Sequence, residues 1–415
     1  MILVTGGAGF IGSHLLRRLV ADGLPCCAVD DFNDYYDPAV KRANFDALRN
    51  RVPLLEADIR EAGRVERFAA RHRPDTIVHL AARAGVRPSL ENPLLYESVN
   101  GGGTLALLEI ARRLKLKRFV FASSSSVYGA SQRIPFTEED PVMEQASPYG
   151  VTKRAGELYC SNYASLYGVP CICLRFFTVY GPGQRPDMAI AKFAKLMLAG
   201  KPVPVFGDGT TRRDYTYIDD IVQGVRAACD WKGRFDIVNL GESRTVELGE
   251  LVGLLEKTLG VKATIERKPL QPGDVPATWA DISKARRILG YSPATPIEEG
   301  LRRYAEWVRA QPATAVPFAS PVLPASDAAV LAECRRMLAE GSDLEGVVKH
   351  LRGRGLAKGR AAGVLVDLGC ANWEEAIRIV TLSIWRELRL SKPDGGGVLE
   401  AIERELKRIH RGAGE

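Results

Sequence analysis

The chain has 415 residues, 26% of them charged and 46% hydrophobic, the profile of a globular protein long enough for two or three domains. Its formal net charge of +7 is small for that length and spread along the sequence, so it gives no argument for nucleic acid as a partner. The eight cysteines form no CxxC pair and the five histidines fall in no zinc-ligand spacing, so reduced, mostly buried thiols and no metal site are expected.

Residues 1–12 read MILVTGGAGFIG. The first four have the length and composition of a buried parallel strand, and a glycine cluster then leads into the helical run HLLRRL. Because that strand begins at Met1 there is no room for a signal peptide, and no apolar run is long enough to span a membrane, so the sequence reads as a cytoplasmic protein. Gly6, Gly9 and Gly12 are spaced three apart, which lets the chain turn tightly, brings backbone close to a pyrophosphate and lets the helix lie against the strand. The unpaired N–H groups of the new helix face the phosphates. A glycine triplet alone is a weak signal and needs a second strand ending in an acid about 20 residues on. The run PCCAV at 25–29, followed by Asp30 and Asp31, supplies it. Asp30 would accept hydrogen bonds from the adenosine ribose hydroxyls, which favours NAD over NADP.

The polar, aromatic stretch FNDYYDP at 32–38 precedes a helix expected over 39–49, and a short strand over 52–55 ends in EADIR. Asp58 in that run either accepts from the adenine amino group or caps the next helix. Residues 76–82, TIVHLAA, form the next buried strand; its small terminal residues let a cofactor pass closely, and His79 reads as a packed core residue. The run NGGGT at 100–104 opens a helix through 114, and FVFA at 119–122 is the following strand. Strands alternating with helical patterns on this rhythm predict an α/β fold, a Rossmann-type doubly wound parallel sheet with ligands along the carboxyl ends of its strands.

The strand at 119 runs into SSSSVYG, four hydroxyls at the edge where such a sheet places its reacting substrate. Tyr149 and Lys153, in YGVTK, are spaced i and i+4 and share one helix face. A phenol of pKa about 10 is a poor base at neutral pH. An adjacent ammonium, together with the positive nicotinamide ring, favours the phenolate. Tyr149 can then take a proton from a substrate hydroxyl while hydride leaves the same carbon, and Lys153 would also hold the nicotinamide ribose.

With these residues in place, residues 1 to about 309 resemble the extended short-chain dehydrogenase/reductases, specifically the NAD-dependent nucleotide-sugar epimerases. The resemblance rests on TGGAGFIG, HLAARAGV, SSSSVYG, YGVTK, RFFTVYGP, RRDYTYIDD and QPGDVPATWAD. It implies a catalytic set of Ser124, Ser126, Tyr149 and Lys153, the two serines bonding the sugar 4-OH and the tyrosine. It implies NAD contacts at Gly6, Gly9, Phe10, Ile11, Gly12, Asp30, Asn33, Asp58, Ile59, Leu80, Ala81, Ala82, Tyr149 and Lys153. For the UDP-sugar it implies Arg87, Ser126, Thr178, Arg185, Arg213 and Asp274. Arg213 matches the arginine that binds the nucleotide diphosphate, as a planar donor suits a phosphate bidentately, and Asp274 matches a position near the nucleotide ribose. The implied organisation places the NAD-binding part mainly in 1–177 with parts of 214–241, and a smaller α/β substrate part mainly in 178–213 and 242–310. It also implies a homodimer built from the helices around 105–114 and 149–164.

Within the family the chain looks most like the UDP-glucuronate 4-epimerases, on DDFNDYYDP, AGVRPSLENP and GQRPDM. Thr178 stands where UDP-glucose 4-epimerases usually carry asparagine, which counts against a neutral hexose. Arg185 and Thr178, with a serine of 123–126, are expected to hold the C5 carboxylate. A UDP-glucose or UDP-N-acetylglucosamine 4-epimerase is the next reading and a UDP-glucuronate decarboxylase the third. A binding or sensor protein without turnover would have no chemical reason to keep Tyr149, Lys153 and the serines together.

Past the family match, residues 311–325 carry four prolines and no charge, an extended linker. Ser326 and Asp327 would cap the first of several amphipathic segments, at about 327–338, 344–351, 358–368, 373–390 and 398–409. These predict a separate small C-terminal helical domain over 326–415, whose role the sequence leaves open between a module that binds a protein partner and structural support. Lys349, Arg352, Arg354, Lys358 and Arg360 read as a solvated basic face.

Overall fold

The structure, a computed structural model, describes residues 1–131, 133–269, 275–311, 334, 336–337 and 344–353. In chain order, β1 (Ile2–Thr5) leads into α1 (Phe10–Ala21), β2 (Cys26–Asp30) into α2 (Pro38–Asp46) and β3 (Leu54–Glu56) into α3 (Ala62–His72). After β4 (Thr76–His79) come two short helices, α4 (Val86–Glu91) and α5 (Pro93–Tyr96), and a π-helical turn, Glu97–Gly102, that opens α6 (Gly103–Arg113). β5 (Arg118–Ser124) ends in a 3-10 turn, Ser125–Tyr128, ahead of α7 (Pro148–Leu166). Then follow β6 (Cys171–Phe176), β7 (Thr178–Tyr180), α8 (Ala189–Leu198), β8 (Val203–Phe206), β9 (Arg212–Tyr217), α9 (Ile218–Asp230) and β10 (Phe235–Leu240). β11 (Thr245–Glu247), α10 (Leu248–Leu259), β12 (Ile265–Lys268), α11 (Ser283–Leu289) and α12 (Ile297–Ala310) complete it.

Seven strands form one sheet in the order β10-β6-β5-β4-β1-β2-β3, with every pairing parallel. The order reverses between β1 and β4, and a doubly wound sheet opens a ligand crevice at such a switch point. The strands are buried on both faces, which is why they read as near-continuous apolar runs: all four residues of β1 and all six of β6 are buried. One core carries Val4, Leu15, Leu16, Val120 and Leu174, and the other carries Leu3, Ile77, Leu107, Phe119 and Phe121.

The smaller part is built on two short sheets, β11-β9-β7 and β12-β8. Asp214 of β9 is fully buried and joins it to the large sheet's edge. Its carboxylate accepts from Thr216 Oγ1 and from the N–H groups of Glu242, Ser243 and Ala280. Burial pushes that carboxyl up to about 6, with these donors pulling the other way.

Several element limits differ from those predicted. The 39–49 helix starts at Pro38, where Asp37 caps it through Ala39 N–H, and stops at Asp46. The 76–82 strand ends at His79, because Leu80 and Ala81 turn to bond Thr5 through their N–H groups. The helix expected from Asn100 begins with the π-helical turn, where Asn100 bonds Arg83 N–H, Arg83 O and Thr152 Oγ1 rather than capping. His79 is a core residue, 1% exposed, bonded to Thr5 and Thr104 and pulled by burial to about 3.

The chain divides into two compact units, Met1–Ser320 and Pro321–Glu415. In the second, one helix, Leu344–Gly353, is described, with Val347 and Val348 buried. The linker at 312–325 and the other C-terminal segments lie outside the described residues, apart from Cys334, Arg336 and Met337. Among the described residues no helix is long and apolar enough to cross a membrane, no group of side chains could hold a metal, and all seven cysteines are buried, with Cys26, Cys27, Cys160, Cys171, Cys173 and Cys229 as free thiols.

Candidate active site

The turn after β1 is shaped by what its glycines leave out. Gly6 has φ of +70°, and a Cβ there would lie 2.8 Å from Ala81 N. At Gly12 a Cβ would lie 2.1 Å from Gly6 O, so any side chain would push α1 off the strand. Gly9 takes the N-cap position with no side-chain cap, which leaves the first N–H groups of α1 to whatever enters the crevice. Phe10 is buried against the core and Ile11 packs at its margin.

Asp30, at the end of β2, is 6% exposed and accepts from Ala8 N–H at 3.0 Å and Phe32 N–H at 2.9 Å. Burial pushes its carboxyl up, while Lys41 and these two donors pull it down. Lys41 is a site residue the sequence did not single out. It is 5% exposed, with its ammonium on Asn33 O at 3.1 Å. Asn33 is itself fixed by Asp31, whose Oδ1 accepts from both its N–H and its amide. Asp58 is not the cap of α3, a position Glu61 holds. It binds Arg60 through the N–H, Nε and Nη2, at 2.8, 3.0 and 2.7 Å. That contact holds its carboxyl below the ordinary range. Ile59, beside it, packs over Gly103.

Tyr149 stands in the first turn of α7, where Ser147 caps through Gly150 N–H. Its own N–H donates to Ser89 Oγ at 3.1 Å, and its ring meets Tyr96 edge-on at 6.3 Å. Burial pushes the phenol up, opposed by a hydrogen bond with Ser124 and by the charge of Arg185. Ser124 Oγ lies 3.2 Å from Ser126 Oγ, so the two hydroxyls form a relay beside the phenol. Lys153, one turn on, is 4% exposed and donates to Ala122 O at 2.7 Å, with its ammonium 5.9 Å from the Tyr149 ring centroid. Burial pulls it down to about 8, with Cys160 and Glu157 opposing.

Around this dyad the structure places the residues expected for the UDP-sugar, together with Tyr35, Tyr96 and Asp187. Arg185 binds Asp187 bidentately, at 2.9 and 2.6 Å, and lies 5.4 Å from the Tyr35 ring centroid. Tyr35 also reaches Asp187 and Tyr96. The acid two residues after Arg185 was a readable signal, whereas nothing local marked Tyr35 or Tyr96. Thr178 opens β7 opposite Tyr215 of β9, and Arg213 lies two residues before Tyr215 on that strand. Arg87 is set apart on α4, its guanidinium 4.8 Å from the Phe206 ring centroid, with Lys192 near it. Asp274 lies outside the described residues.

Residues 2–241, more than half the chain, match the NAD dependent epimerase/dehydratase family. The chain belongs to this family. A UDP-glucuronate 4-epimerase of Thermodesulfobacterium geofontis is 42% identical to it over 308 residues, 74% of this chain and 95% of that protein. The crystal structure of a UDP-glucuronic acid 4-epimerase from Bacillus cereus, in complex with UDP-glucuronic acid and NAD, is similar with a TM-score of 0.70 at 38% identity. The match covers 74% of this chain and 98% of that one. A UDP-glucose 4-epimerase from Thermotoga maritima, with UDP-glucose, gives 0.69 at 34%, again over 74% and 98%. Backbone similarity therefore does not separate the two sugars.

The residues present fit NAD. In the turn between β1 and α1 a Cβ at Gly6 or Gly12 would overlap main chain, so only glycine keeps the tight course that brings backbone N–H groups to a pyrophosphate, and Asp30 presents a buried carboxylate at the strand end where a ribose would sit. Replacing Asp30 by Ala removes both the ribose acceptor and the anchor of Ala8 and Phe32. NAD affinity, measured by calorimetry on protein stripped of nucleotide, should fall about tenfold or more, since a hydrogen bond to a charged group contributes about 1.5–3 kcal/mol.

Proposed function

We propose that the protein catalyses NAD-dependent 4-epimerisation of a UDP-sugar, converting UDP-glucuronate to UDP-galacturonate. The observation that carries this reading is the meeting of Tyr149, Ser124 and Lys153 at the end of β5 with an arginine charge acting on the same phenol. Gly6, Gly9, Gly12, Asp30 and Lys153 hold NAD, which when bound supplies the reversible hydride acceptor that makes C4 a ketone for part of each turnover.

Tyr149 takes the proton of the sugar 4-OH and returns it, with Ser124 and Ser126 carrying the hydrogen bond between hydroxyl and phenol. Lys153 supplies the positive charge that stabilises the phenolate, and its bond to Ala122 O fixes where that charge lies. Arg213 binds the diphosphate, and Arg87 is a further contact to the UDP-sugar. Thr178 and Arg185 hold the C5 carboxylate, with Asp187 fixing the guanidinium plane.

That hold matters because a ketone at C4 beside a carboxylate at C5 is a β-keto acid. It loses CO2 when the carboxyl C–C bond stands perpendicular to the carbonyl plane. Keeping the carboxylate out of that orientation leaves rotation about the phosphate linkage as the sugar's path, so the opposite face of C4 is presented before the carbonyl is reduced.

Val151, Leu158, Leu166 and Tyr167 are exposed apolar residues at the surface of α7 and its end, which supports a homodimer through α6 and α7. Free, buried cysteines support a reducing cytoplasm.

Purified protein incubated with UDP-glucuronate and no added NAD should form UDP-galacturonate. Tyr149→Phe should lower kcat by about 10²–10⁴-fold, the range for a positioned acid–base group. Turnover of UDP-glucose at a comparable rate, without turnover of the uronate, would replace the substrate assignment. Arg185→Ala should raise the ratio of UDP-4-keto-pentose and CO2 to UDP-galacturonate; an unchanged ratio in folded protein removes that role. Light scattering should give twice the 45.3 kDa chain mass, and a monomer mass rejects the dimer.

A further inference from the structure

Glu157 lies on α7 four residues beyond Lys153 and is 0% exposed. Its carboxylate accepts from Arg175 Nε and Nη2 at 2.8 and 2.9 Å, from Ser123 Oγ at 2.7 Å and from Arg154 Nη1 at 3.0 Å. Ser123 and Arg175 are register partners on β5 and β6, so one carboxylate ties the helix to the ends of two central strands. Arg175 is 1% exposed, and its guanidinium lies 4.7 Å from the Tyr128 ring centroid. Tyr128 donates to Asn239 Oδ1 on β10 at 2.7 Å. One turn back, Lys153 donates to Ala122 O, so α7 meets consecutive residues of β5 at two points.

We propose that Glu157 is the positioning residue of the catalytic dyad: gripped by Arg175 and Ser123, it sets where α7 stands along the end of β5, and so where Tyr149 and Lys153 face Ser124. Ser124 follows Ser123 directly, so a shift of the helix against the strand end changes the separation of the phenol and the serine hydroxyl. Gly156, between the two points, lets α7 lie directly against the Phe121 ring of β5. The assignment rests on the reading of Tyr149 and Lys153 as the catalytic pair.

The charged and titratable groups around Lys153 and Glu157 are Tyr149, Arg154 and Cys160 on α7, His79 from β4, and Arg175 and Cys173 from β6. β5 contributes Ala122 O and the Phe121 ring. Of these, Glu157 supplies the negative charge that holds the lysine ammonium up against its burial, since burial keeps the Cys160 thiol protonated. Loss of the Glu157 charge therefore lowers the pH at which Lys153 gives up its proton.

The test compares full-length Glu157→Gln, Ser123→Ala and Tyr149→Phe with the parent chain, with circular dichroism and bound NAD content as checks of folding. Glu157→Gln should lower kcat about a hundredfold, the scale of a 1 Å misplacement, with KM for the UDP-sugar unchanged. Its alkaline loss of kcat should begin at lower pH than in the parent. Ser123→Ala keeps every charge and removes one buried hydrogen bond, so it reports even where Glu157→Gln does not fold. It should slow kcat about threefold to tenfold at constant KM, with the pH profile in place. Folded variants that keep the parent kcat and pH profile overturn the assignment, as does a normal Ser123→Ala when Glu157→Gln is unfolded. Tyr149→Phe separates the two failures. Full turnover in Tyr149→Phe removes the catalytic reading itself, whereas an inactive Tyr149→Phe beside normal Glu157→Gln and Ser123→Ala removes only the role given to Glu157.

Discussion

The seating of α7 on the carboxyl ends of β5 and β6 is the contact on which the proposed chemistry depends. The helix contributes the phenol and the ammonium, the strand contributes the serine, and neither does anything useful at the wrong separation. Three features hold them: an ammonium on a main-chain carbonyl, a carboxylate shared by a serine and a buried arginine, and a glycine against an aromatic ring. The ion pair differs in kind from the many exposed pairs of this chain, such as Arg302 with Glu299 on α12. Exposed pairs contribute about 0–1 kcal/mol, whereas breaking a buried one costs about 3–5 kcal/mol because a charge is left without a partner. An interaction of that size can hold a helix in place; the surface pairs cannot.

The cofactor side is governed by a different economy of space. At the turn between β1 and α1 the decisive atoms are missing ones, since a Cβ at Gly6 or Gly12 would overlap main chain. The carboxylate of Asp30 is buried beside an equally buried Lys41, so its charge is balanced from within the same loop region before any ligand arrives. Site electrostatics are thus arranged by the fold in pairs: Asp30 with Lys41, Asp58 with Arg60, Arg185 with Asp187, Glu157 with Arg175.

Much of this was legible in the sequence because it is written locally. The strand, the glycine triplet and the acid at the end of the next strand lie within about 30 residues, and the doubly wound parallel sheet follows from the rhythm of strands and helices. Tyr149 and Lys153 were readable from helical spacing and the serine run from its place at a strand end. Tyr35, Tyr96 and Lys41 were not readable, since nothing in their neighbourhood shows that three separate segments converge on the phenol and the nucleotide loop. The strand over 76–82 was overrun by three residues because apolar composition does not show where a chain turns to bond a threonine. The helix from Asn100 was misplaced because a π-helical turn has no sequence signature that distinguishes it from an ordinary first turn.

Asp214 has a consequence for how the chain can vary in length. Two backbone N–H groups from 242–243 and one from 280 converge on its carboxylate, so three stretches far apart in sequence share a single knot. Insertions or deletions that move any of these donors by one position would pull it away from the carboxylate that the other two share. Chain between these points can change in length, while the stitching at 214, 242–243 and 280 keeps its spacing. Variation in loop length is thereby separated from the joint that keeps the smaller part on its sheet.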